Sequence, residues 1–256
     1  MTTTRTTLIL SDVQHPYHYP KLLKKFIKIA RDIQPDRILS IGDAIDLPTV
    51  SRWSKGTAEE YSPVLQEHIA GFRAEVLVPL REAAPKAAIT WLEGNHDLRI
   101  QDYLKKYGPA LRSLEALSMQ SLFGLRELDI DYVKGPLHVA TNTVAIHGHE
   151  PGAYAATPNA WDLKLLKRYG TDNVVFGHTH QPFITTSAHG HSGKVRPRWI
   201  MNVGSIMDPN HAHYMKDGAV SWTPSFALIR DIPGKIALPE LVIANDGRFL
   251  FEGEWV

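Results

Sequence analysis

The chain has 256 residues, 28 basic side chains against 27 acidic ones, 43% apolar content and no cysteine. That is long and apolar enough for one large α/β domain or two small ones, and its balanced charge gives no support to a broad nucleic-acid-binding surface. Without thiols there are no disulfides, any metal must sit on nitrogen and oxygen donors, and with no leader or membrane-length apolar run visible the expected compartment is the cytoplasm.

A short buried strand is predicted over 6–10, ending at Ser11-Asp12-Val13-Gln14. Leu22, Leu23, Phe26, Ile27, Ile29 and Ile33 then recur at helical spacing, which predicts a helix over 21–33 with one buried face. Pro35 follows it and a second strand runs over 37–41, so the β-α-β order favours a parallel pair. Residues 61–84 read as a helix kinked by Pro79. A third strand over 87–92 ends at Glu93-Gly94-Asn95-His96-Asp97. Residues 98–123 look mostly helical, interrupted near Gly108-Pro109, and strands follow at 132–133 and within 137–146, broken at Asn142. These lead to His147-Gly148-His149. A helix over 159–169 stops at Gly170, and a strand over 173–176 leads to Gly177-His178-Thr179-His180. Strands at 183–187 and 198–203 flank a Gly/His turn. Strands at 226–231, 238–244 and 249–252 make a closing antiparallel set, with turns at Pro233-Gly234 and Asp246-Gly247. No repeat or linker interrupts this order, which is simplest as one domain over 1–256.

Five apolar runs end in metal-ligand residue types: Asp12 and Gln14, Asp43 and Asp46, Asn95 and His96, His147, and His178 with His180. The carboxyl ends of neighbouring strands converge on one crevice. Carboxylates, amide oxygens and imidazoles without sulfur suit Mn, Fe, Zn or Ni better than Ca or Mg. Residues two apart on an extended backbone share a face, which pairs His178 with His180 and puts Gln14, rather than its neighbour His15, on the Asp12 side. The set is too large for one ion, so two ions sharing a carboxylate is the economical arrangement, with Asp43, directly after Gly42, as the natural bridge.

The ordered series Asp12-Val13-Gln14, Gly42-Asp43-Ala44-Ile45-Asp46, Gly94-Asn95-His96-Asp97, His147-Gly148 and Gly177-His178-Thr179-His180 resembles the calcineurin-like metallophosphoesterase superfamily. Asn202-Val203-Gly204-Ser205 looks like that family's Asn-Pro-Gly-Ser stretch. The resemblance implies an α/β fold of two packed mixed β-sheets flanked by helices. It implies one divalent transition ion on Asp12, Gln14, Asp43 and His180 and a second on Asp43, Asn95, His147 and His178, with manganese expected first. It makes His96 the general acid, Asp46 the residue that orients it, and Asn95 a partner of the phosphoryl oxygens.

Two departures bear on these implications. The usual Asp-x-His is Asp12-Val13-Gln14, whose amide oxygen is a weaker donor, and His15 stays open as the alternative ligand. The Arg that protein Ser/Thr phosphatases carry after Gly-Asp-x-x-Asp is Leu47, followed by Pro48, which argues against a phosphoprotein substrate. The implied reaction is metal-assisted hydrolysis of phosphate esters, expected first to be a phosphodiesterase on nucleotides or cyclic nucleotides. A monoesterase, a nuclease and a non-catalytic scaffold are the alternatives; a nucleic-acid partner is not favoured and no membrane partner is expected. His149 reads either as a substrate contact or as support for a ligand. His189 and His191 read as solvated turn residues, and His211 and His213 as cleft border or mobile loop in the polar stretch 208–217, within the segment 205–221. Trp53 and Tyr17 either stack on a base or simply pack, and Arg52 is a candidate phosphate contact.

Overall fold

The computed structural model describes residues 3–149, 165–191, 193–211 and 222–256. Strand β1 (Arg5–Leu10), helix α1 (Pro20–Ile33) and strand β2 (Arg37–Ile41) form the anticipated parallel unit, with Leu8 beside Ile38 and Ile9 beside Leu39. Pro20 opens α1 in its first turn, where a missing N–H costs nothing, and Gln34 closes it in the left-handed region at φ 45°. Side chains alternate along the strands. Leu8, Leu10 and Ile38 pack under the helices, while Ile9, Leu39 and Ile41 face the opposite way into a second apolar layer. Burial on both faces is what parallel strands between two layers require.

Parallel strands β3 (Ala88–Leu92) and β4 (Ile130–Val133) continue the first sheet. The second sheet holds β5 (Leu137–Ala140), β6 (Thr143–Ala145), β7 (Asn173–Phe176), β8 (Phe183–His189) and β9 (Arg196–Asn202). The chain then returns to the first sheet through β10 (Ser225–Ile232), β11 (Ile236–Asn245), β12 (Arg248–Phe251) and β13 (Glu254–Trp255). The first sheet has the order β13-β12-β11-β10-β1-β2-β3-β4 and the second β5-β6-β7-β9-β8. Both are mixed: β10 lies antiparallel to β1, and β6, β7 and β9 run parallel between antiparallel edges. Val175, Trp199 and Met201 meet Ile9, Leu39 and Ile41 in the layer between the sheets, while Val174, Phe176 and Ile200 turn to the outer face. The architecture is two packed mixed sheets flanked by helices, as the resemblance implied.

Several elements differ from the sequence-based expectation. The helix expected over 61–84 is α2 (Leu65–Phe72), a π-helical turn (Arg73–Leu77) and α3 (Val78–Ala83). Pro79 offers no N–H to a carbonyl four residues back and its ring crowds that carbonyl, so the wider turn comes just before it. The region 98–123 is less helical than its apolar content suggested. Helix α4 (Arg99–Tyr107) stops at Gly108, whose φ is −148°, and Pro109 supplies no donor to resume it. Only 3₁₀ turns at Pro109–Ser113 and Glu115–Leu117 and the short α5 (Met119–Leu122) follow. Of the helix expected over 159–169, residues 159–164 lie outside the described residues; α6 (Lys167–Tyr169) ends at Gly170 with φ 59°. The two-residue β13 was not anticipated, being too short to show a period. Among the described residues no helix is long and apolar enough to cross a membrane.

Candidate metal centre and catalytic site

The loops after β1, β2 and β3 of one sheet meet those after β6 and β7 of the other. The first two continue as a zipper past the strand ends: Asp12 N donates to Gly42 O at 3.1 Å, Gln14 N to Asp43 O at 2.9 Å and His15 N to Ala44 O at 3.1 Å. The backbone here is not extended. Asp12, Gln14, Asp43, His178 and His180 all have positive φ, between 48° and 68°. Non-glycine residues held there cost on the order of 1–3 kcal/mol each and gather at functional sites. Alternate residues therefore share a side because of left-handed turns rather than strand pleating, which corrects the reason for pairing Asp12 with Gln14 and His178 with His180.

Two glycines let backbone sit directly on the carboxylates. A Cβ on Gly94 would lie 2.3 Å from both N and Oδ1 of Asp43. One on Gly177 would lie 1.8 Å from Ser11 Oγ and 2.5 Å from Asp12 Oδ2. Two buried side chains then tie the loops together. Asp97 accepts from the N–H groups of Asp43 (2.9 Å), Ala44 (3.1 Å) and Gly94 (2.8 Å) and from Trp91 Nε1 (3.0 Å). Asn202 Nδ2 donates to Gly177 O at 3.1 Å and Thr179 Oγ1 at 2.8 Å, holding the His178/His180 loop.

The donor side chains fall into two adjoining groups. In one, His180 Nε2 lies 3.1 Å from Asp12 Oδ1 and 3.2 Å from Gln14 Nε2; a half-turn of the Gln14 amide exchanges that nitrogen for its oxygen. In the other, His147 Nε2 lies 3.1 Å from Asp43 Oδ2, 3.2 Å from Asn95 Oδ1 and 3.2 Å from His178 Nδ1. All seven expected ligand residues are thus gathered at one place. His15 is not among them: its ring turns away from Asp12, towards Glu75, with Nε2 at 3.5 Å from that carboxylate.

His96 borders the second group. Its Nδ1 is 2.5 Å from Asp46 Oδ1, its Nε2 is 3.7 Å from Asp43 Oδ2, and its backbone N–H donates to Asp43 Oδ1 at 2.7 Å. Arg99 donates to the Asp46 carboxylate at 2.8 Å and also to the Asp46 carbonyl, and its Nη2 stands 3.3 Å from His96 Nε2. Asp97 and Arg99 were not singled out in the sequence. Asp97 completes the Gly-Asn-His-Asp motif, a signal that was present; Arg99 carries none, because only α4 brings it to Asp46.

Electrostatics follow from burial against close charge. Burial would raise the pKa of Asp12, but His180, by charge and hydrogen bond, more than reverses this. Burial would likewise raise Asp43, and His147 and His96 hold it below its ordinary value instead. Burial would lower His147, yet Asp43 and Asp12 push it up to about 10, whereas burial and the charge of His147 bring His178 down to about 4. At His96, burial is outweighed by the Asp43 charge and the Asp46 hydrogen bond, and its pKa is raised.

The donor chemistry fits a cation. His147 Nδ1 donates to Ile41 O at 2.8 Å, so in a neutral ring Nε2 is a lone pair facing a carboxylate oxygen, an amide oxygen and a second imidazole nitrogen. A single proton serves only one of those contacts, while a divalent ion serves them all. The raised pKa of His147 expresses the same demand for positive charge. Asp43, His147 and His178 present their ligand atoms within 4.8 Å of one another.

Beyond the donors, a cleft of about 340 Å³ opens beside Asn95 and His96, lined by Arg52, Trp53, Lys55, Arg99, Lys106 and Tyr107 among others. Trp53 is 75% exposed with the Arg52 guanidinium 4.7 Å from its ring, and Lys55 Nζ is 4.4 Å from the Tyr107 ring. Tyr17 is half-buried, its N–H donating to Gln14 O at 2.7 Å and its ring beside Glu59 and His211. The His149 ring centroid is 5.3 Å from that of His147 and 6.2 Å from that of His178. His189, His191 and His211 are exposed, and His213 lies outside the described residues, as does most of 205–221.

Residues 5–182 match the family model described as calcineurin-like phosphoesterase. Over 248 residues the chain is 33% identical to the Gene 54 protein of Mycobacterium phage L5 and 32% identical to the Gene 54 protein of Mycobacterium phage D29, across 96% of this chain and 96% of each relative. The solved metallophosphoesterase of Sphaerobacter thermophilus is 19% identical over 89% of this chain and 84% of that one, with a TM-score of 0.45.

Proposed function

The chain belongs to the calcineurin-like phosphoesterase family, and from that premise we propose that it is a phosphodiesterase acting on nucleotides or cyclic nucleotides, with two divalent ions sharing Asp43. Asp12, Gln14 and His180 would hold one ion and Asn95, His147 and His178 the other, with manganese the first expectation. The family's reaction is metal-dependent hydrolysis of phosphate esters. Bound ions supply the charge that offsets the phosphoryl oxygens and a nucleophile at neutral pH.

The chain's own residues do the rest. Asn95 presents its amide to a phosphoryl oxygen. His96 holds its Nδ1 proton on Asp46 and carries the transferable one on Nε2, from which it protonates the leaving oxygen. Asp46, fixed by Arg99, sets the ring's orientation, and, against burial, the Asp43 charge with the Asp46 hydrogen bond raises its pKa.

The observation that carries the substrate class is the cleft beside His96. Its aromatic rings suit a base and its cations the anionic phosphoryl oxygens, a pairing that a nucleotide offers and a small phosphate ester without a base does not. The test compares bis-p-nitrophenyl phosphate, p-nitrophenyl phosphate and a panel of cyclic and linear nucleotides, all with added manganese. Turnover of diesters is expected, with Trp53→Ala raising KM for nucleotides while sparing kcat. Preference for monoesters would overturn the diesterase reading, and no turnover of any ester would favour a scaffold.

A further inference from the structure

A second cluster of ligand-type side chains lies on the far side of the first loop. His15 and His18 are each 4% exposed, and their rings stack with centroids 5.1 Å apart and planes 18° from parallel. The Nε2 atom of each lies 3.5 Å from the same carboxylate oxygen, Glu75 Oε2. Among the described residues neither ring makes a hydrogen bond of ordinary length, and both Nδ1 atoms are buried without a partner. Two apolar walls would explain two buried imidazoles as packing, and Phe72 does stand 5.9 Å from His15. Packing does not explain why both Nε2 atoms converge on one carboxylate oxygen.

We infer that His15, His18 and Glu75 form a divalent-metal site of the zinc class, separate from the centre around Asp43. Ligands about 2.0–2.1 Å from a tetrahedral ion stand about 3.3 Å from one another. The two 3.5 Å separations are close to that spacing, and the three residues offer ligand atoms within 4.8 Å of one another. Two imidazoles and one carboxylate leave a fourth position for water. His18 and Glu75 border a surface cavity, also lined by Ala74 and Pro79 with Lys24, Lys28 and Arg31, so the cluster opens to solvent. Glu75 projects from the π-helical turn, a distortion that recurs at functional sites. An ion there joins the loop carrying Gln14 to the helical segment between α2 and α3. Its role is to hold that loop; the reacting ester never meets it.

The test uses the full chain, stripped with chelator and titrated with zinc chloride by calorimetry, in the native protein, in Glu75→Gln and in His18→Ala. Glu75 is exposed enough to change without unfolding the chain, so the test does not depend on His18→Ala being stable. One tight equivalent is expected to weaken more than about 100-fold in Glu75→Gln, beyond the 10–100-fold that loss of a mere outer partner costs. Crystals grown with zinc should show an anomalous peak within bonding distance of His15 Nε2 and His18 Nε2. Asp43→Asn, which alters the other centre, should keep that peak. Unchanged titration of Glu75→Gln, or no anomalous peak between the two rings, would overturn the inference whatever metals the Asp43 centre holds.

Discussion

His96 sits between Asp46, Asp43 and the Arg99 guanidinium, and this setting, rather than its place in a motif, decides what it can do. His96→Ala is expected to retain fold and metal while losing turnover most on esters with poor leaving groups, by about 10²–10⁴-fold. A nitrophenyl ester, whose leaving group needs little protonation, should be affected far less; equal losses on both would mean that His96 donates no proton. His15 gives a second residue-level prediction. Burial first, then the charges of His18 and His68, bring its pKa down to about 4, so the folded protein keeps the ring neutral while the unfolded chain binds a proton near pH 6.5. The stability this contributes is present above about pH 6.5 and is lost as pH falls towards 4. Urea melts of the chelator-treated protein should show that slope, and His15→Gln should flatten it. That these side chains gather at one place was legible in the sequence, since each candidate ligand follows an apolar run. The direction of His15 was legible too, though through the wrong geometry: left-handed turns at Asp12 and Gln14 separate it from the centre, not strand pleating.

At the scale of elements, loops rather than strands carry the site, and their close approach rests on absent side chains. Gly177→Ala pushes a Cβ into Ser11 and the Asp12 carboxylate, so it should destabilise by at least the 1–3 kcal/mol of ordinary overpacking. Chemical denaturation measures it, and an unchanged midpoint would show that this loop has room to move. The strands and α1 could be read from period and burial alone, because Leu8, Ile9 and Leu10 and their neighbours on β2 are apolar whichever sheet face they take. The region after α4 could not. Leu111 and Leu114 look like core positions on a helix, yet they end up half exposed once Gly108 and Pro109 break the backbone. The latches were half legible: Asp97 and Asn202 each stand in a motif, but nothing local to Asn202 says that it will hold a loop 25 residues earlier.

For the whole molecule, the proposed ligand set is divided between the sheets: Asp12, Gln14, Asp43 and Asn95 follow strands of the first, and His147, His178 and His180 follow strands of the second. Direct polar contacts join the sheets here through His147 with Ile41 and Asp43 and His180 with Asp12, and elsewhere through Arg37 with Val139, Thr141 with Asp231 and Trp199 with Ala237. A ligand at 100 times its Kd stabilises by about 2.7 kcal/mol, and here that energy falls on the junction itself. Chelation should therefore lower Tm and speed amide exchange in both sheets, around 41–45 and around 145–147 and 176–178 together, with manganese restoring both. Faster exchange on one side only would show that the ions bind within a single sheet. On the proposed ligand set, ion loading is expected to work as a bolt at one end of a seam: starved of metal, the two slabs should part more readily there, and the molecule should lose durability along with its chemistry.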